Sequence, residues 1–264
     1  MTVNAQEIIK NLRAPDQRNM GRIETAEVGA DNLNRLSSLD ALATTVRVFD
    51  SNVIPGNLRT PNYSAAVIHA AHPKLPHYEV RRRVLIKEER ARAFLRRTFD
   101  EQLIGAWFVI GERAITRCID MEDEGNMHAL QLRHLLMLAT HAKISIQVMP
   151  EKVVTPALAE QFALYGMDDD QRVGYVETIM GSWYSTRLDD VAKLHSTFSD
   201  IVREAMSPDS TQRFIREVLA SWRSAKNESP ELTEDSRSSS APSRPQATTA
   251  LESPERAPRR PMEP

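Results

Sequence analysis

Glu112, Tyr175 and Glu177 are the side chains best placed to do chemistry. Glu112 follows the short apolar run at residues 107–110, and Glu177 lies two residues after Tyr175 in a segment with the character of a strand. Two residues apart on a strand means one shared face. A strand-end glutamate beside a tyrosine can orient a ligand, or hold and pass a proton as a general acid or base. The more ordinary use of such carboxylates is to accept a hydrogen bond or ion pair from an arginine on a covering helix, and that reading stands beside the first. A second group is cationic. Residues 76–97 carry Val80, Val84, Ile86 and Phe94 at helical spacing together with Arg81, Arg82, Arg83, Lys87, Arg90, Arg92, Arg96 and Arg97. Glu79, Glu88 and Glu89 dilute the charge and no aromatic side chains interleave for base stacking, so the stretch fits an acidic protein better than a nucleic acid. Arg81, Arg82, Arg83, Lys87 and Arg90 are the partner-binding candidates, since an acidic partner would be steered to them.

Other chemistries lack their spacing. His69, His72 and His77 fall across a helix end, His134 and His141 are two turns apart, and Cys118 is the single cysteine, so no metal site is expected. Gly181-Ser182-Trp183 lacks the second glycine of a nucleophile elbow. The nine glycines include neither Gly-x-Gly-x-x-Gly nor Gly-x-x-x-x-Gly-Lys, so no nucleotide and no other cofactor is expected.

These residues need a scaffold, and the composition allows one. With 264 residues, 41% hydrophobic and 27% charged, the chain can bury a core of one or two domains, and a formal charge of -2 gives no global attraction to nucleic acid or anionic lipid. A lone cysteine forms no internal disulfide, and no 18-residue apolar run or signal segment is present, so the expected location is the cytoplasm. Along the chain, residues 2–13 have a short helical pattern, Pro15, Gly21 and Gly29 interrupt regularity, and residues 33–49 look helical again. Thr60 can cap a helix that starts at Pro61 and continues to residue 71. A buried strand is expected at 107–110, an acidic loop at 120–125, a helix at 127–141 capped by Asn126, and a strand alternating Ile144, Ile146 and Val148 against Ser145, Gln147 and Met149. Residues 161–165 and 173–177 suggest a hairpin. From Leu188 the period turns helical, and Ser207-Pro208 ends one helix and caps the next. The fold class expected is α+β: a small mixed or antiparallel sheet of about four strands packed with helices, with a C-terminal helical pair. The expected organisation is a short irregular or helical segment at 1–37 without a complete helix-turn-helix, an α+β domain at 38–224, and a disordered tail at 225–264 rich in Pro, Ser, Arg and Glu.

Seven phrases, in order, carry a resemblance: VIPGNLRTPNYSAAV at 53–67, GERAI at 111–115, LQLRHLL at 130–136, IQVMP at 146–150, QFAL at 161–164, YVE at 175–177 and AMSP at 205–208. Together they resemble the effector domain that follows an Xre-type helix-turn-helix in actinobacterial WhiJ-like regulators, often labelled antitoxin-like transcriptional regulators. The resemblance runs roughly from Leu39 to Trp222. It implies a regulatory protein that acts through partner or small-ligand binding and modulates transcription of development or secondary-metabolism genes without reading DNA itself. The partners it implies are a small acidic protein encoded nearby or a full-length helix-turn-helix relative, with a small molecule as a further ligand; direct binding to DNA or membrane is not expected. The alternative is a cofactor-independent biosynthetic enzyme of cyclase or isomerase type in a natural-product pathway, with Glu112, Tyr175 and Glu177 lining its pocket.

Overall fold

The computed structural model describes residues 22–25, 30–99, 101–119, 126–154, 161–178 and 181–228. The expected helix at 2–13, the acidic loop at 120–125 and most of the Pro-rich tail lie outside the described residues.

β-branched and aromatic residues at alternate positions write most of the sheet. Its strands are β1 (Arg22–Thr25), β2 (Thr45–Asp50), β3 (Gly105–Gly111), β4 (Ile144–Met149), β5 (Gln161–Gly166), β6 (Arg172–Thr178) and β7 (Gly181–Ser185), in the order β1-β7-β6-β5-β2-β3-β4. β2, β3 and β4 run parallel, while β5, β6, β7 and β1 continue the sheet antiparallel. The helices are α1 (Ala30–Leu42), α2 (Pro61–Ala71), α3 (His77–Arg97), α4 (Glu112–Thr116), α5 (Asn126–Leu138), α6 (Leu188–Glu204) and α7 (Pro208–Glu228). The class is α+β with a C-terminal helical pair, as the patterning indicates.

The sheet is nevertheless larger than the four strands expected. Residues 33–49, which look like one helix, divide after Leu42: Thr44, Thr45, Val46 and Val48 are β-branched, and β2 becomes a central strand held by β3 on one side and β5 on the other. β1 and β7, four and five residues long, are too short to show a period.

Alternation sorts the strands into two faces. Val46, Val48, Phe108, Ile110, Ile146, Val148, Tyr165, Tyr175 and Tyr184 meet helices of one layer in the main core, whereas Phe49, Val109, Met149, Phe162 and Leu164 meet Val191, Phe198 and Ile201 of α6 on the other. Phe94 of α3 is fully buried edge-on to Phe108 with ring centroids 5.8 Å apart, a burial that contributes about 1.5–3 kcal/mol. The exposed edge of β4 is covered rather than left to pair with another chain. Met206 N donates to Val148 O (2.8 Å), and Val148 N donates to the buried Thr211 Oγ1 (2.9 Å), so the α6–α7 junction serves as the missing neighbour. Ser207 caps α7, accepting from Ser210 N at 3.2 Å, with Pro208 as first helical residue. Among the described residues no helix is long and apolar enough to cross a membrane.

Candidate functional site

The sheet register lines up polar residues at one end of the main-core face. Asp50 pairs with Gln161, Gln161 with Glu177, and Glu177 with Ser182, so four strands place Asp50, Gln161, Glu177 and Ser182 in one row. The next row inward is Val48, Ala163, Tyr175 and Tyr184. Tyr175 links the two rows: its hydroxyl donates to Glu177 Oε2 at 3.1 Å and lies 3.2 Å from Ser182 Oγ. Asp50 ends a parallel strand, the position where open sheets with crossover helices hold ligands.

One wall is the turn between β2 and α2. Gln131 of α5 is fully buried and clamps it twice, accepting from Thr60 N (2.6 Å) and donating to Leu58 O (2.8 Å). Tyr63 Oη accepts from Ile54 N (3.3 Å), and Arg59 Nε donates to Ile54 O. Thr60 caps α2 through Tyr63 N, and Pro61 starts the helix. These contacts hold Asn57 and Arg59 at the cavity.

The roof is α3. Arg83, Lys87 and Arg90 follow one another at helical spacing and face the sheet, whereas Arg81 and Arg82 are exposed. Thus the five basic candidates divide between an inner and an outer face. Arg90 is paired with the buried Asp40 of α1, and its Nη2 donates to Asn57 Oδ1 at 3.2 Å. Burial opposes the charge on Arg90, but Asp40 outweighs it and holds the guanidinium protonated. Arg83 pairs with Glu79 at 3.2 Å.

Between roof, wall and floor lies a cavity of about 190 Å³ lined by Val48, Val53, Asn57, Arg59, Val67, Ile68, Arg83, Lys87, Tyr175 and Glu177, among others. Burial, with Arg59 and Arg90 beside it, brings the Lys87 amine down to about 8, against the pull of Glu177. Asp50 moves the opposite way. Burial lifts its carboxyl to about 6, although Arg59 and the N–H groups of Val53 (3.1 Å) and Asn52 (3.0 Å) favour the anion at Oδ1. Its Oδ2 and the Nδ2 of Asn57 are buried without a hydrogen-bond partner.

Tyr175 and Glu177 therefore come together, and with them Arg83, Lys87 and Arg90. Glu112 stands apart. It opens α4 beside a separate cavity of about 240 Å³ with Phe49, Met149 and Pro150, where its Oε2 accepts from Glu151 N at 2.8 Å. Asp50 belongs to no motif, and Asn57, Arg59 and Gln131 lie within the phrases that carry the resemblance with nothing in them that marks a site residue. The signal for Asp50 is a carboxylate just after the β-branched Thr44, Thr45, Val46 and Val48, which the helical pattern of residues 33–49 masks.

The geometry can bind an anion beside an apolar surface and hold a proton between Tyr175 and Glu177. Among the described residues no group of three His, Cys, Asp or Glu side chains is arranged to hold a metal ion. The curated proteins contain no match to the chain. A family model, Domain of unknown function (DUF5753), matches residues 33–217, which include every residue of the cavity, and the chain belongs to that family.

Proposed function

We propose that this domain is the ligand-responsive effector part of an antitoxin-like, WhiJ-type transcription regulator, acting through a small ligand and a protein partner rather than by reading DNA itself. The observation that carries this reading is the two-sidedness of α3. Its inner face supplies Arg83, Lys87 and Arg90 to the cavity; its outer face exposes Arg81, Arg82 and Arg92 around Tyr78 (75% exposed) and Leu85 (58%). Large exposed apolar side chains ringed by charge are a common feature of protein-docking surfaces. The basic ring suits an acidic partner, and one helix connects that surface to the cavity. Transcription of development or secondary-metabolism genes is the proposed output.

The test combines genetics with co-purification. Deleting the gene should change transcript levels of neighbouring genes, the purified chain should leave their upstream DNA unshifted, and Arg81→Glu with Arg82→Glu should abolish recovery of the partner. Unchanged transcripts together with accumulation of a pathway intermediate would refute it.

That last outcome belongs to a second reading, a cofactor-independent cyclase or isomerase, which the Tyr175 hydroxyl between Glu177 and Ser182 favours. Tyr175→Phe and Glu177→Gln strains with unchanged metabolite profiles exclude it.

A further inference from the structure

We infer that the cavity beneath α3 binds a small organic monocarboxylate, its anion held by Lys87 and Arg59 and its apolar body lying against Val48, Val67 and Ile68. This rests on the proposed reading of the cavity as a ligand site and names the ligand's chemistry.

The charges around the cavity decide where an anion goes. Arg90 is already matched by Asp40 and Arg83 by Glu79. Lys87 and Arg59, by contrast, have no carboxylate in ion-pair contact among the described residues. Cations enclosed in this way usually have a counter-charge. Asn57 adds a neutral donor: it is 3% exposed, its Oδ1 is taken by Arg90, and its Nδ2 has no partner.

The floor sets the upper limit on ligand charge. Glu177 lines the cavity and Asp50 ends the same polar row, so a second negative charge would meet repulsion that a monoanion avoids. The volume sets the size. At about 190 Å³ the cavity holds the liquid volume of roughly six waters, which fits a five-carbon chain or one aromatic ring. Val53 and Ala71 extend the apolar wall.

Binding should be coupled to a proton. The groups facing the Lys87 amine are Arg83 and Arg90 on α3, Arg59 on the turn and Glu177 on β6, with Tyr175 and His72 also lining the cavity and Asp50 near Arg59. Burial above all, and then the neighbouring cations, lower Lys87 to about 8, so above that pH an arriving anion must first restore the proton.

The experiment is titration calorimetry on the full chain with pentanoate and benzoate, their neutral amides, and inorganic phosphate. At least one acid should bind ten or more times tighter than its amide and than phosphate. Its affinity should fall towards tenfold per pH unit above pH 8, and Lys87→Gln should weaken the acid at least tenfold while leaving the amide unchanged. Acid and amide binding equally would leave a ligand site standing and overturn its preference for carboxylate. Phosphate binding as tightly as the acids, affinity constant from pH 7 to 9.5, or no heat from any probe also overturns the inference. The regulatory reading is judged separately by its transcript and partner experiments. The acid–amide comparison uses the unaltered protein, so a variant that fails to fold does not remove the test.

Discussion

Replacing Asp50 by Asn should make the protein more stable at neutral pH, although it removes a charge that accepts two backbone hydrogen bonds. Asp50 is 2% exposed, and burial outweighs the pull of Arg59 and of the Val53 and Asn52 N–H groups, lifting its carboxyl from 3.8 to about 6. Keeping the carboxylate ionised in the folded state therefore costs about 3 kcal/mol at pH 7 and above. The sign follows from which state holds the proton. Between pH 4 and 6 the folded chain keeps a proton that the unfolded chain has released, so stability falls as pH rises through this window and the loss is complete above it. An amide oxygen can still accept from Asn52 and Val53, and its NH₂ takes the place of the partnerless Oδ2. For a domain of this size about 3 kcal/mol raises the melting temperature by roughly 6–12 °C. Urea denaturation followed by tryptophan fluorescence, run at pH 4, 6 and 8 on wild type and Asp50→Asn, measures the effect. The variant should gain over wild type from pH 4 to pH 6 and hold the gain at pH 8. A variant no more stable than wild type at pH 8, or one whose advantage is the same at pH 4, would refute the reasoning.

Three further outcomes follow from other buried contacts. Arg90→Gln should cost about 3–5 kcal/mol because it leaves Asp40 charged and buried, whereas Arg90→Met with Asp40→Leu should recover most of that loss in the same urea assay. At Gly111 an added Cβ would stand 2.1 Å from Ser51 O and 2.7 Å from Ser51 C; since neither backbone atom can swing away, Gly111→Ala should lower stability by about 3 kcal/mol or more, seen as lost soluble yield or an early melt. His128 is enclosed between Tyr63 and Trp222 with its Nε2 2.9 Å from Ile115 O, and burial lowers its pKa below 6.5. The stability it lends as a neutral ring is therefore present above pH 6.5 and lost as pH falls below it, and melts of His128→Gln between pH 7.5 and 5.5 should be less acid-sensitive than wild type.

How much of this the sequence discloses depends on how local each signal is. Caps are local. Thr60-Pro61 and Ser207-Pro208 start helices where their chemistry says they should, because the capping oxygen and the missing proline N–H act within one turn. The alternation of residues 144–149 and the short apolar run at 162–165 are also local, and both strands are present. The boundary between α1 and β2 was not legible, since a helical apolar pattern runs into a β-branched one and only pairing with β3 and β5 decides the matter. The site divides along the same line. Tyr175 and Glu177 share a face by simple period, and Arg83, Lys87 and Arg90 by helical spacing. Asp50 joins them only through register across β5, and Asn57 and Arg59 only through the clamp of Gln131, more than 70 residues away in sequence. Glu112 follows a strand directly, yet it sits beside the other cavity, because the chain turns into α4 after Gly111.

Helix α3 is where ligand and partner would influence each other, and its packing is uneven in a way that favours this. The C-terminal half is anchored: Ala91 and Phe94 are its buried side chains, Arg90 is pinned to Asp40 and Asn57, and Arg97 Nη2 donates to Ala43 O at 3.2 Å. The N-terminal half from His77 to Lys87 has no fully buried side chain, yet it carries Arg83 and Lys87 inward and Tyr78, Arg81, Arg82 and Leu85 outward. Such a segment can shift at little cost in buried area, so an anion drawing Lys87 towards Arg59 would reposition the outer residues without disturbing the core. Thermodynamics then fixes the reverse effect. If a carboxylate changes partner affinity by some factor, the partner must change carboxylate affinity by the same factor. The two factors, measured by calorimetry in either order of addition, must agree, and Lys87→Gln must bring both towards one.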